Sequence, residues 1–219
     1  MTFLPDIKTC ALEGEFIAMD VEGDGHHPEA PVELGLVEFS KGEVRKIHQW
    51  LINPGHPIDP YIHNIHGITD RMLEQAPAFR DIEEEVRGVL SGKLIVAHAA
   101  SNDIRMLGAV LPDLPDLNPA IFDSQRLART LCPGRPKYGL PSICSDLGIS
   151  ATQTGNERSG LHTAATDAEL AGRLFISLAV LIPDNPKQRR HFTRMALVGF
   201  KPAKLSNDGD ELSEKGFRR

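Results

Sequence analysis

The chain has 219 residues, 41% of them hydrophobic and 25% charged, with a formal net charge of −6. That is enough apolar material for one sizeable core, and no window approaches the uninterrupted apolar run that a membrane-spanning helix needs. Net acidity weighs against a protein that grips nucleic acid by bulk charge alone, and three cysteines without a CxxC pair (Cys10, Cys132, Cys144) argue for a reducing cytoplasm rather than a disulfide framework. Residues 1–14 contain Pro5 and Asp6 and no apolar h-region, so they read as a short leader segment and not as a signal peptide. Residues 15–22 (EFIAMDVE) are apolar on both faces except for the acids at the end, the pattern of a central buried strand. Residues 32–39 and 46–52 read as two further strands joined by a turn at Lys41-Gly42, giving an antiparallel meander. A Pro- and His-rich stretch (NPGHPIDPYIHNIHGIT) reads as a loop. Ile82, Val86, Val89 and Leu90 recur at helical spacing in 79–91, and LIVAH at 94–98 is a short buried strand.

Helical patterns follow at 102–111, stopped by Pro112, at 124–131, and at 139–147, ended by Gly148, with a last short strand at 120–123. Residues 151–160 (ATQTGNERSG) are polar and read as a mobile loop. The longest helical pattern covers 163–182. Strands first, then alternating helices and strands, imply an α/β fold with a mixed sheet flanked by helices. From Pro183 onward the charge changes sign, with nine Lys or Arg against five Asp or Glu. Lys187, Arg189, Arg190, Arg194, Lys201 and Lys204 form a run without an intervening acid, so 183–219 reads either as a solvated tail or as a basic arm for phosphate or a protein partner.

Four acids fall at the ends of these elements. Asp20 and Glu22 sit two apart on a strand, so both carboxylates share one face. Asp103 follows the LIVAH strand across a short turn and opens a helix, where an acid also complements the helix dipole. Asp167 lies in the longest helix among Ala164, Ala165, Ala168 and Ala171, small residues that let a helix backbone approach a sheet closely. Each acid alone has an ordinary structural explanation. Together they suit a hard cation bound by oxygen, whereas His63-x-x-His66 lacks the second pair that a zinc site needs. His162 precedes Asp167 by five residues, which on one helix would separate their directions by about 140°. The spacing therefore places His162 ahead of the helix, with Thr163 as N-cap, where it suits a general base.

The segments FIAMDVEG, LIVAHAASNDIRML and LHTAATDAELAG resemble the three motifs of the DEDDh (DnaQ-like) 3′→5′ exonucleases, with the likeness covering roughly 15–182. The stretches DSQRLARTLCPGRPKYGL and GLHTAATD are most similar to exonuclease X and to polymerase proofreading subunits. The resemblance implies a ribonuclease-H-like fold with a five-stranded mixed sheet. It also implies two divalent cations, Mg²⁺ or Mn²⁺, bound by Asp20, Glu22, Asp103 and Asp167, and His162 as the base. Val21, Gly23, His66 and His98 are implied as substrate contacts. Three positions depart from the motifs: Gly23-Asp24-Gly25 follows Glu22, Ala99 replaces an Asn, and Asn102 replaces a Phe. Asp24 is thus expected to add negative charge near the substrate.

These expectations give an exonuclease domain at 15–182, flanked by the leader and by a basic extension, partly helical or flexible. The function expected is release of nucleoside 5′-monophosphates from DNA 3′ ends in the cytoplasm, as in DNA repair. An exoribonuclease and a non-catalytic nucleic-acid-binding or polymerase-accessory module are the alternatives. A nucleic acid 3′ end is the expected partner, DNA ahead of RNA. A polymerase on the basic extension and a homodimer are further candidate partners, and no membrane is.

Overall fold

The computed structural model describes residues 6–27, 29–117, 120–152 and 163–196. Its centre is a five-stranded sheet in the order β3-β2-β1-β4-β5, made of β1 (Glu15–Gly23), β2 (Pro31–Ser40), β3 (Glu43–Leu51), β4 (Leu94–Ala97) and β5 (Ile121–Asp123). The first three strands form the expected antiparallel meander, and β4 and β5 add in parallel beside β1. Lys41 and Gly42 turn the meander with φ of 53° and 79°, the left-handed pair that a tight hairpin requires.

Helices cover both faces of this sheet. In chain order they are α1 (Ile7–Leu12), α2 (Pro60–His66), α3 (Asp70–Leu73), α4 (Phe79–Leu90), α5 (Ser101–Val110), α6 (Leu114–Leu117), α7 (Ser124–Leu131), α8 (Leu140–Leu147), α9 (Ala164–Val180) and α10 (Pro186–Ala196). The period-two alternation of β1 divides the core. Ile17, Met19 and Val21 pack with Val86 and Leu90 of α4 and with Met106 and Leu107 of α5. Phe16 and Ala18 face the opposite way, onto Ala168, Ala171 and Phe175 of α9. Phe16 stacks on Phe39 of β2 with centroids 4.8 Å apart and meets Phe175 edge-on at 5.3 Å, a geometry that adds attraction beyond the area buried. Because Asp20 and Glu22 continue the Phe16/Ala18 series, both are directed to the α9 side of the sheet.

The Pro- and His-rich stretch differs from the expected loop, since α2 and α3 form within it. Asp59 caps α2 by accepting from Tyr61 N, Pro60 occupies the first turn, and Gly67 ends the helix at φ 70°. Thr69 caps α3 by accepting from Met72 N. The start and stop signals were present, but one short helix between prolines buries too few side chains to make a periodic pattern.

At the other end of the molecule, Ile7, Cys10 and Ala11 from the stretch read as a leader are buried in the α9-side core with Ile182 and Ala196. Ile7 N donates to Thr193 Oγ1 of α10 at 2.9 Å, and Lys8 Nζ reaches Asp184 at 2.8 Å. Of the basic run, Arg189 pairs with Asp184 at 2.6 Å, while Lys201 and Lys204 lie outside the described residues. None of the three cysteines, all among the described residues, forms a disulfide, and no described helix is long and apolar enough to cross a membrane.

One contact fixes how far α9 settles on the sheet. A Cβ at Gly35 of β2 would fall 2.3 Å from the backbone of Ala164 and Ala165. Only a residue without a side chain admits that approach, and the obstacle is backbone, which cannot swing aside. Replacing Gly35 with Ala is expected to lower stability by about 1–3 kcal/mol, the usual cost of overpacking. It should also reduce turnover by displacing the first turn of α9. Urea unfolding and a nuclease assay on the same preparation would show both losses together.

Candidate active site

Strand β1 and helix α9 bring three of the four expected acids together. Carboxylate oxygens of Asp20, Glu22 and Asp167 all lie within 4.8 Å of one another. The register explains why. Asp20 stands opposite Gly35 and Glu22 opposite Glu33 on β2, so the gap left by Gly35 sits beside Asp20, where the first turn of α9 presses in. Glu33 then anchors that turn. It is fully buried, its Oε2 accepts from Ala164 N at 3.0 Å, and its Oε1 accepts from Gln49 Nε2 at 2.7 Å. Thr163 is the N-cap of α9, as expected, accepting from Thr166 N at 3.3 Å. Asp167 N donates to Thr163 O at 3.0 Å, which sets the acid in the first turn.

Asp103 joins the group from the other side of β1. Its Oδ1 accepts from Val21 N at 2.9 Å, so it is tied to the backbone between Asp20 and Glu22. The turn that delivers it passes through Ala99, held at φ 60°. This left-handed conformation is costly for Ala and natural for Asn. The departure at this position therefore costs backbone strain, in addition to a polar side chain. Asn102 is exposed in the first turn of α5, where an apolar replacement would lie at the surface.

The electrostatics are those of an unneutralised acid cluster. Burial pushes the Asp103 carboxyl up to about 8, with Glu22 and Asp123 adding to the rise, while the N–H groups of Asp103 and Val21 act in the opposite direction. The Asp20 carboxyl is raised well above its ordinary range, first by burial and then by Asp103, Glu22, Asp167 and Glu33. All the charges that raise these two groups are carboxylates. Such crowding is relieved when a cation binds, and an all-oxygen donor set fits a hard divalent ion. The residues present thus fit the metal that the motifs imply.

His162 lies outside the described residues. The four expected substrate contacts are placed as follows. Val21 contributes its N–H to Asp103 and is almost fully buried. Gly23 O faces His66 Nε2 at 3.2 Å, and His66 Nδ1 accepts from Ile68 N at 3.0 Å, so His66 is a neutral ring donating to the strand end. His98 has both ring nitrogens engaged, with Ser124 Oγ at 2.9 Å and Tyr138 O at 2.7 Å. Its pKa is lowered chiefly by burial, consistent with a neutral ring bridging β4, α7 and the 138 turn. Asp24 does not project charge toward a substrate, contrary to expectation. It is fully buried, and its Oδ1 accepts from His26 N at 3.0 Å and Ala30 N at 3.1 Å, so it shapes the β1–β2 loop from within. Sequence reading missed Glu33 and Gly35. The signal was a carboxylate and a glycine inside an otherwise apolar strand (VELGLVEF).

The family model RNase_T, described as Exonuclease, matches residues 15–175. The chain belongs to this exonuclease family, with the fold and motif set of the DEDDh-type 3′→5′ exonucleases. DNA polymerase III subunit epsilon of Aquifex aeolicus (strain VF5) is 27% identical over 172 residues, covering 76% of this chain and 81% of that protein. Exonuclease X in complex with 5′ overhanging duplex DNA superposes with a TM-score of 0.63 at 23% identity, over 81% of this chain and 99% of that one. The nuclease domain of 3′hExo, a DEDDh family member bound to rAMP, gives a TM-score of 0.59 at 11% identity, over 85% and 97%. At these identities the structural likenesses establish the shared fold.

The raised Asp103 carboxyl has a consequence for stability. With a folded value of about 8 against an ordinary 3.8, the protonated form is favoured in the fold. Its contribution is present below the ordinary value and is lost as pH rises through 8. Metal-free protein is therefore expected to lose thermal stability between pH 6 and pH 8. Added Mg²⁺ should raise the melting temperature more at pH 8 than at pH 6. Asp103→Asn should flatten the metal-free slope, as read by differential scanning fluorimetry.

Proposed function

We propose that this exonuclease removes nucleotides from DNA 3′ ends, releasing nucleoside 5′-monophosphates, with two divalent cations held by Asp20, Glu22, Asp103 and Asp167. The observation that carries this reading is the convergence of three carboxylates, with Asp103 bonded to the backbone between two of them. Bound Mg²⁺ or Mn²⁺ supplies positive charge for the attacking and leaving oxygens of the scissile phosphodiester. The chain's own contribution is to hold four acids on one strand end and two helix starts, so that little reorganisation is needed at the moment of reaction. In this reading His162 accepts the proton of the attacking water at a ring nitrogen. Val21, Gly23, His66 and His98 border the terminal nucleotide. The internal hydrogen bonds of His98 and His66 support a role in shaping that border through the backbone they hold.

DNA is preferred over RNA on two grounds. One relative is named as a DNA polymerase III subunit, and a neighbour of the same fold holds duplex DNA. The RNA reading has support from the neighbour bound to rAMP. A non-catalytic module is disfavoured, because a binder has no use for His162 in addition to the four acids of the motifs. We further propose a cytoplasmic enzyme whose exonuclease domain spans 15–182. Its flanking 1–14 and 183–219 segments would serve stability and, through the basic run, a polymerase or other partner; a homodimer is compatible with this arrangement.

Three outcomes test the proposal. With matched labelled oligonucleotides in Mg²⁺ or Mn²⁺, DNA should shorten stepwise from the 3′ end faster than RNA, and EDTA should stop the reaction reversibly. Full activity in EDTA would refute the metal role, and faster RNA trimming would favour the ribonuclease reading. His162→Ala should reduce kcat by about 10²–10⁴-fold while leaving the Mg²⁺-induced rise in melting temperature intact. Wild-type turnover in that variant would remove its role as base.

A further inference from the structure

An ion pair ties the β1–β2 loop to α5, the helix that carries Asp103. Arg105 Nη2 lies 2.6 Å from Glu29 Oε2, with the arginine side chain 49% exposed and the glutamate 18%. Arg105 stands on α5 two residues beyond Asp103. Glu29 comes from the loop that follows Glu22 and Gly23. The glutamate rests on the strand end itself, since a Cβ at Gly23 would fall 2.4 Å from Glu29 Oε1 and 2.6 Å from its Cγ and Cδ. Thus the carboxylate occupies the space that the missing side chain of Gly23 leaves, one residue beyond Glu22 along β1, and holds the guanidinium there.

Two kinds of partner suit an arginine on the helix that carries Asp103: a carboxylate of the cluster or a phosphate of the substrate. Bonding to the cluster would compete with cations. Glu29 gives the guanidinium a third partner away from the acids. A half-exposed pair of this kind is weak, screened by solvent and salt, so it is easily exchanged. A phosphodiester offers the same planar two-oxygen face as the carboxylate, and arginine's fork matches either.

From this geometry we infer that Arg105 is a phosphate-binding residue for the nucleic acid strand, and that Glu29 is its internal stand-in, displaced when the strand enters. The inference rests on the reading of the acid cluster as the hydrolytic site. Entry of the strand transfers Arg105 from Glu29 to a backbone phosphate next to the terminal phosphodiester. The carboxylate of Glu29 then turns away from Gly23 and clears the strand end. The exchange lets a net acidic protein present one cation to its substrate without presenting it to its own metal ligands.

The two ends of the pair make opposite predictions. A mere structural tie would be broken equally by either substitution, so Arg105→Gln and Glu29→Gln would shift affinity in the same direction. An exchangeable partner gives opposite signs. The test uses the full chain and a fluorescently labelled single-stranded oligodeoxynucleotide, with anisotropy in Ca²⁺ for binding and Mg²⁺ kinetics for turnover, across a salt series. Arg105→Gln should raise Kd and KM roughly tenfold with little change in kcat, and lower the slope of log Kd against log salt by about 0.7. Glu29→Gln should tighten binding about two- to fivefold. Arg105→Lys should keep the wild-type salt slope, which separates charge from folding damage. If both Gln variants shift Kd the same way, or if Arg105→Gln leaves Kd and the salt slope unchanged while the wild type degrades the 3′ end, this inference fails and the hydrolytic reading stands. If the wild type degrades no oligonucleotide in Mg²⁺ or Mn²⁺, both fail.

Discussion

The close approach of α9 to β2 at Gly35 is the contact on which the site depends. The carboxylates of Asp20 and Glu22 are fixed by strand alternation, but Asp167 reaches them only because the helix backbone lies where any side chain at position 35 would be. Glu33, two residues away on the same strand face, converts that proximity into a fixed orientation by accepting from the first free N–H of the helix. Its charge is one of those that raise Asp20. The residue that anchors the helix therefore also sharpens the need for a cation. Position and charge balance are set by one strand, and a change on β2 is felt in both.

Asp103 shows the same economy from the opposite face of β1. Its hydrogen bond to Val21 N gives a buried carboxylate a partner and locks α5 to the strand between the other two acids. The strained Ala99 turn is tolerated because its neighbours over-determine it: Ala99 N bonds to Asp123, which also caps α7 through Gln125 N and Arg126 N. Local strain is thus offset by a carboxylate that serves two elements at once.

Much of this was legible in the sequence. β1 and α9 are long and strongly patterned, so their place and the facing of Asp20, Glu22 and Asp167 followed from periodicity and small residues alone. The antiparallel meander followed from short connections and a Lys-Gly turn. Helices α2 and α3 were hidden because each is too short to show a period and their caps sat among prolines. Asp24 was misjudged for a different reason. A carboxylate next to a catalytic motif reads as exposed charge, but two backbone N–H donors in its own loop make burial affordable. Glu33 was passed over because strand patterning treats one polar residue as an edge or an exception. What it satisfies lies 131 positions away in the chain, and no local pattern reports that.

The central claim is that the four acids form one cation-binding centre. Crystals grown in Mn²⁺ and measured at the manganese edge test it without reliance on turnover. The account predicts two anomalous peaks about 3.5–4 Å apart, bounded by Asp20, Glu22, Asp103 and Asp167, and loss of at least one in Asp167→Asn. Absence of any peak among these carboxylates in well-ordered crystals at millimolar Mn²⁺ would contradict it.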